Sequence, residues 1–231
     1  MSIIKVSIFQ KSLKDRLELS KLNKLRNLKS DFLIFPEYFY CDDSKKSIEE
    51  LKKMGNDPLD LLLKLSEDYK GIIAAGGLIV EGEGSLRSAA VLISKGDIID
   101  WYYKRKIDEF EKEIVHPGEG AGVFILSGNR FSILLGEEIY DEKFLKEISD
   151  MGIHWIINLS AGISETSDDE VLKIVKERNL SIVRCVPSGT FLGKNVSGKS
   201  IVYTPAGISW KVSESEENTE ILKTLSMNVH M

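Results

Sequence analysis

The sequence predicts a layered α/β domain, and three observations carry that expectation. Short β-rich runs alternate with segments whose apolar residues recur at helical spacing. Some neighbouring strand candidates are joined by tight turns and others by helices, so hairpins and βαβ units both occur, which argues for mixed sheets. No repeat or low-complexity tract interrupts the alternation. With 231 residues, the chain reads as a single domain over 1–231, at roughly 100–200 residues per domain. A globule of this size needs no disulfide or metal to stabilise its core.

The elements follow in order. Residues 3–9 alternate as a strand. Leu13, Leu17, Leu19, Leu22, Leu25 and Leu28 recur close to a 3.6-residue period, predicting a helix over 13–28. Residues 31–36 form a second strand, stopped at Pro36. Asp57-Pro58 opens a helix through about Tyr69, with proline suited to the first turn. Strands are expected over 71–80, 88–94 and 98–103, the last two joined by the turn Ser94-Lys95-Gly96-Asp97. Residues 104–120 are charged and irregular. Strands over 123–126 and 131–135 flank Ser127-Gly128-Asn129, and a helix follows over 141–151. The run 155–159 is a buried-type strand. Ser167, with Glu170 three residues on, has the capping-box pattern for a helix over 167–178. Strands over 181–186, 200–204 and 208–212 complete the pattern, with Pro205-Ala206-Gly207 turning between the last two.

Composition narrows the function. Hydrophobic residues at 42% and charged residues at 29% exclude a disordered or collagen-like chain. A net charge of −5 argues against a nucleic-acid or anionic-membrane partner. No apolar run approaches the roughly 18 residues that span a bilayer. The N-terminal residues lack a signal-peptide pattern, so a cytoplasmic location is expected. Cys41 and Cys185 lie in unlike contexts and fit a reducing compartment. A Lys/Glu-rich composition with a single glutamine, Gln10, leans thermophilic. His116, His154 and His230 are scattered, and no spacing points to a metal or cofactor.

Gly193-Lys194-Asn195-Val196-Ser197-Gly198-Lys199-Ser200 matches the pattern of a phosphate-binding P-loop. A P-loop needs a helix next, whose N-terminal N–H groups hold the phosphate. Ile201-Val202-Tyr203-Thr204-Pro205 reads instead as a strand broken by proline. Glu37 stands just past the apolar run Phe32-Leu33-Ile34-Phe35-Pro36 and before Tyr38, Phe39 and Tyr40. In layered α/β sheets that edge is where ligands bind, and desolvation there would suit a carboxylate to general-base work. By itself Glu37 also fits a solvated loop charge. Trp101-Tyr102-Tyr103-Lys104 ends another strand on an ammonium, with Glu111 seven residues on and Pro117-Gly118 beyond. A lysine held near a carboxylate can stabilise an oxyanion; the same stretch also fits a solvated charge cluster.

Together these stretches resemble the nitrilase superfamily of carbon–nitrogen hydrolases. Residues 4–10 resemble its first strand ending in Gln, and Phe35-Pro36-Glu37 its Pro-Glu motif with the general-base glutamate. Residues 88–104 resemble the strand–turn–strand ending in the catalytic lysine, here Lys104. Glu111 falls on the lysine-orienting glutamate. Gly198-Lys199-Ser200 and Thr204-Pro205-Ala206-Gly207 resemble its late Gly-x-Ser strand and Pro-x-Gly turn. The resemblance implies a four-layer αββα sandwich of two mixed sheets, homodimerisation, and Glu37, Lys104 and Glu111 as the catalytic set.

One departure bears on all of this. The nucleophilic cysteine of the superfamily follows a strand, and the matching stretch here is Ile133-Leu134-Leu135-Gly136-Glu137-Glu138-Ile139-Tyr140. Gly136 takes the cysteine position, Glu137 the aromatic position and Glu138 that of the usual acid. The helix motif Arg-Ala-x-Glu-Asn is degraded to Lys176-Glu177-Arg178-Asn179, and Lys143 falls near the usual Pro-Glu. Without a thiol, attack on an amide or nitrile carbon through a thioester is closed. The expectation is therefore hydrolysis lost or much reduced, with a role in binding a small amide, amine or carboxylate ligand or as a structural or regulatory partner. Tyr38, Cys41, Glu137 and Glu138 are expected to line the pocket, with specificity set by the loops 41–56 and 161–168. The competing reading is an amidohydrolase using water, with Glu37 as base and Lys104 as oxyanion partner, or using Cys41 as nucleophile.

Overall fold

The structure, a computed structural model, describes residues 2–82, 84–126, 128–163 and 167–229. Ser127, His230 and residues 164–166 of the loop singled out above lie outside the described residues.

The first half of the chain runs β1 (Ser2–Gln10), α1 (Leu19–Arg26), β2 (Phe32–Glu37), α2 (Ile48–Lys52), α3 (Asp57–Asp68), β3 (Ile72–Gly82), β4 (Ser85–Ser94) and β5 (Asp97–Tyr103). After the irregular 104–120 come β6 (Val123–Leu126), β7 (Asn129–Leu135), a 3-10 turn over Gly136–Tyr140, α4 (Glu142–Asp150), β8 (Trp155–Leu159) and α5 (Asp168–Arg178). The chain then continues through β9 (Ser181–Cys185), β10 (Gly189–Phe191), β11 (Lys194–Val196), β12 (Ile201–Thr204), β13 (Gly207–Lys211) and β14 (Ile221–Val229).

Two six-stranded sheets carry the fold, in the orders β14-β1-β2-β3-β4-β5 and β13-β12-β9-β8-β7-β6. In each, parallel strands are flanked by antiparallel ones: β1-β2-β3 in the first and β7-β8-β9 in the second. Those central strands are mostly apolar, and β2 and β8 are buried throughout, as strands covered on both faces must be. The sheets meet face to face, β2 against β8 and β9. Phe32 packs edge-on against Phe131 and Trp155, each with ring centroids 5.2 Å apart. Gly76 marks how close the sheets come: a Cβ there would lie 2.9 Å from Leu135 Cδ2 and 3.0 Å from Leu159 Cδ1. Helix α3 packs on β3, β4 and β5 and against α1, while α5 covers β12. Buried Phe144, Leu145 and Ile148 of α4 join the core formed with β7 and β8. The result is the αββα sandwich that the resemblance implied. Among the described residues, no helix is long and apolar enough to cross a membrane.

Helix caps follow local chemistry. Asp141 Oδ1 accepts the N–H of Phe144 at 2.9 Å, and Ser167 Oγ accepts that of Glu170 at 3.4 Å. The predicted helix over 13–28 is realised only over Leu19–Arg26. Leu13 is buried, its N–H donates to the Ser188 carbonyl at 2.7 Å, and Ser188 N–H returns to the Lys11 carbonyl at 2.9 Å. The parallel bridge between Ser12 and Ser188 holds this stretch against a distant segment, and the helix starts only after it. The five-residue α2, the β10-β11 hairpin and β14 are further elements the periodicity did not reveal. Strand β14 pairs along all of β1, from Ser2 opposite Val229 to Gln10 opposite Ile221.

The P-loop-like stretch is spread over the β10-β11 turn, β11 and the approach to β12. No helix follows Ser200; its N–H donates to Gln10 Oε1 at 3.2 Å and its hydroxyl to the Val186 carbonyl at 3.2 Å. The backbone donors of a phosphate cradle are therefore not assembled there.

Candidate active site

Strands β2 and β7 end at the same edge of the sandwich, where ligands bind in layered α/β folds. Pro36 has no N–H to donate, and the β2-β3 ladder is broken between Ile34 and Glu37. That irregularity re-aims the Glu37 side chain. Lys104 leaves the end of β5, its N–H donating to the Ser88 carbonyl at 2.8 Å. The chain then turns tightly, Glu111 N–H donating to the Asp108 carbonyl at 3.0 Å.

These segments bring Glu37, Lys104 and Glu111 together. The Lys104 ammonium donates to Glu37 Oε1 at 2.9 Å, Glu111 Oε2 at 2.8 Å and Asp108 Oδ2 at 2.6 Å. An ammonium has three N–H groups, so all three are directed at carboxylates. The side chains of Glu37, Lys104 and Glu111 are wholly buried, whereas that of Asp108 is 17% exposed. Glu37 Oε2 also accepts the Ala161 N–H at 2.9 Å. Glu111 accepts the Tyr38 hydroxyl and, on Oε2, the Asp108 N–H at 3.0 Å.

Gly136 lies at the same point. Its φ of +52° is in the left-handed region that favours glycine. A Cβ built on it would be 3.0 Å from Asp108 Oδ2, 3.2 Å from Lys104 Nζ and 3.4 Å from Glu37 Oε2. The turn is held from beneath. Asn158 Nδ2 donates to the carbonyls of Leu134 and Gly136 at 3.3 and 3.1 Å. Buried Arg184 donates to Asn158 Oδ1 at 2.7 Å and Ser160 Oγ at 3.1 Å, with neutral acceptors as its hydrogen-bond partners.

The four residues expected to line the pocket are distributed differently. Glu138 is buried below the cluster and accepts the N–H groups of Leu135 at 2.7 Å, Arg105 at 2.6 Å and Lys106 at 3.1 Å, with the Tyr102 hydroxyl at 2.9 Å. It ties the Gly136 turn to the segment after Lys104 rather than facing a ligand. Tyr38 is also buried, stacked on Phe191 with ring centroids 4.9 Å apart, and supports Glu111 from behind. Glu137 stands at the rim, half-exposed, 3.8 Å from Lys106 Nζ. The Cys41 thiol is buried and donates to the Asp42 carbonyl at 3.3 Å, apart from the hydrogen bonds of the cluster. Burial, reinforced by Asp42, pushes it up to about 12, so it holds its proton and is a poor nucleophile. Cys185 faces the Phe9 and Ile34 carbonyls inside the core.

Asp108, Arg184, Asn158 and Ser160 belong to this site although the sequence reading did not select them. Asp108 was hidden in a run rich in both charge signs. Arg184 had one signal, a lone charge in the apolar strand Ile182-Val183-Arg184-Cys185-Val186.

Burial governs the protonation of the cluster. It raises the Glu37 carboxyl to about 8 against the pull of Lys104, helped by Glu111 and Asp108. Burial acts against the Lys104 ammonium, but Glu37, Glu111 and Asp108 outweigh it and hold Lys104 charged well above its ordinary range. For Glu111, Lys104 and the Tyr38 hydroxyl overcome burial, so its carboxyl is lowered. At neutral pH Glu37 thus holds a proton that the unfolded chain releases. Between its ordinary 4.5 and about 8, this group makes stability fall as pH rises, by up to about 1.4 kcal/mol per pH unit. The Glu111 contribution is lost only as pH falls below that window, and that of Lys104 only as pH rises above it. Urea unfolding from pH 5 to 7.5 should show wild type losing stability relative to Glu37→Gln across the window. Parallel curves would mean that Glu37 is ionised in the fold.

The sequence profile of the carbon–nitrogen hydrolase family matches residues 9–225. A glutamine-dependent NAD(+) synthetase of Acinetobacter baylyi is 21% identical over 171 residues, 70% of this chain and 31% of that protein. The chain therefore spans about a third of that curated relative. Among solved structures, the glutamine-dependent NAD+ synthetase from Acinetobacter baumannii, in complex with ADP, superposes with a TM-score of 0.83 at 18% identity. The match covers 98% of this chain and 46% of that one. An amidase of the nitrilase superfamily from Nesterenkonia AN1 matches with a TM-score of 0.75 at 16% identity, covering 97% and 90%. Saccharomyces cerevisiae Nit3, of branch 10 of the same superfamily, matches with 0.75 at 16%, covering 97% and 89%.

Proposed function

The chain belongs to the carbon–nitrogen hydrolase family, and from that premise we propose a member in which thiol-dependent C–N cleavage is lost or much reduced. In this reading the buried site binds a small molecule bearing an amide, amine or carboxylate, and the protein acts as a cytoplasmic homodimer. The observation that carries it is Gly136. Its Cβ position lies within 3.4 Å of both Lys104 Nζ and Glu37 Oε2, yet a glycine offers nothing to attack with. Neither cysteine replaces it, since both thiols are buried and burial raises both, Cys41 to about 12. The retained ammonium and carboxylates support a binding role, and the amidase and glutamine-dependent synthetase among the structural relatives support an amide-bearing ligand.

The test is ammonia release from aliphatic amides, carbamoyl compounds and nitriles, paired with thermal shifts on the same panel. Wild type should release no more ammonia than Glu37→Gln, while at least one compound raises its Tm. Turnover abolished by Glu37→Gln would replace this reading with direct attack of water on the substrate, Glu37 acting as base and Lys104 as oxyanion partner. Absence of both turnover and binding would leave a structural or regulatory role.

A further inference from the structure

Lys104 has no free donor. Two of its three acceptors, Glu37 and Glu111, are wholly buried and anchored by other hydrogen bonds, to Ala161 N–H and to the Tyr38 hydroxyl. The third, Asp108, differs in two ways. It is the only one of the three whose side chain reaches solvent. Its Oδ2 also lies 3.0 Å from where residue 136 would carry a Cβ, so it crowds the space in front of the missing nucleophile. Any molecule that uses the Lys104 ammonium must supply an acceptor oxygen in that same space.

We propose that Asp108 is a self-ligand: its carboxylate fills the acceptor position on Lys104, and a bound molecule enters only as that side chain rotates towards solvent. Asp108 is then a specificity-determining residue of the site, and this inference rests on the binding role proposed above. The backbone need not move, because Asp108 N–H and carbonyl stay bonded to Glu111 while the side chain turns. The exchange is one acceptor for another on a single N–H, so no charge is stranded when the incoming group is a carboxylate or amide oxygen. The occupant also sets the affinity: a site open a tenth of the time or less binds about tenfold more weakly than its open form, or worse.

Sodium acetate and acetamide serve as probes, titrated at constant ionic strength against a sodium chloride control and read as thermal shifts. Asp108→Ala should bind at least one of them about tenfold or more tightly than wild type. Adding Lys104→Met should abolish that gain. Asp108→Asn, which keeps the shape and removes the charge, should fall between, and it tests the same point if the alanine variant folds poorly. Equal affinities for wild type and both Asp108 variants would overturn the self-ligand while leaving the binding role standing. Failure of every variant to bind either probe, with the Lys104 ammonium still seen by 15N NMR in Asp108→Ala, would overturn the self-ligand. If wild type also binds nothing in the wider panel, the binding role falls with it.

Discussion

Gly136→Cys alone is expected to leave the protein nearly silent towards acetamide, whereas Gly136→Cys with Asp108→Ala should release ammonia at least about tenfold faster than the single variant. The reason is steric and electrostatic. A new Cβ would already be 3.0 Å from Asp108 Oδ2, and a sulfur extends further into the space that carboxylate holds. A neighbouring carboxylate also opposes thiolate formation. Removing it leaves the Lys104 ammonium beside the sulfur, where a positive charge favours the thiolate. The φ of +52° adds strain for any side chain at 136, about 1 kcal/mol or more, paid equally by both variants. Ammonia assays on the two proteins settle the matter. A single variant as fast as the double would show that Asp108 does not obstruct the nucleophile position.

Lys104→Met is expected to destabilise the fold more than any single change to its carboxylate partners. Breaking a buried ion pair by removing one partner costs about 3–5 kcal/mol, because the other charge stays buried and uncompensated. Here one ammonium serves three carboxylates, two of them wholly buried. At about 2–4 °C per kcal/mol for a chain of this size, Tm should fall by about 10 °C or more. Glu37 already holds a proton at neutral pH, so the charges left behind are those of Glu111 and Asp108. Adding Glu111→Gln should therefore recover part of the loss, a non-additivity expected within one network. A loss below about 1 kcal/mol would mean that the cluster is hydrated and that the burial argument fails.

The regular elements were legible because local chemistry specifies them. The apolar run ending at Pro36-Glu37, the hairpin turn Ser94-Lys95-Gly96-Asp97 and the Ser167 cap all fall where the pattern placed them. The helix expected from residue 13 was misread because Leu13 and Ser188 bond across 175 residues of chain, which no local period reveals. The β14 edge was missed for a related reason: its partner, β1, lies at the other end of the sequence.

The site divided along the same line. Sequence alone determined that a carboxylate follows β2, that a lysine ends β5, that Glu111 follows at fixed spacing, and that no thiol stands at position 136. The first two are residue identities at strand ends, which can be read from periodicity; the weight given to Glu111 and to position 136 came from the resemblance to the family. Only the tertiary structure decided that Asp108 is the third acceptor of Lys104, that Glu138 is a buried brace, and that Arg184 reaches the Gly136 turn through Asn158. A charged side chain looks the same in a sequence whether water or another charge satisfies it. Burial settles which, and burial is set by sheets that meet only when distant parts of the chain come together.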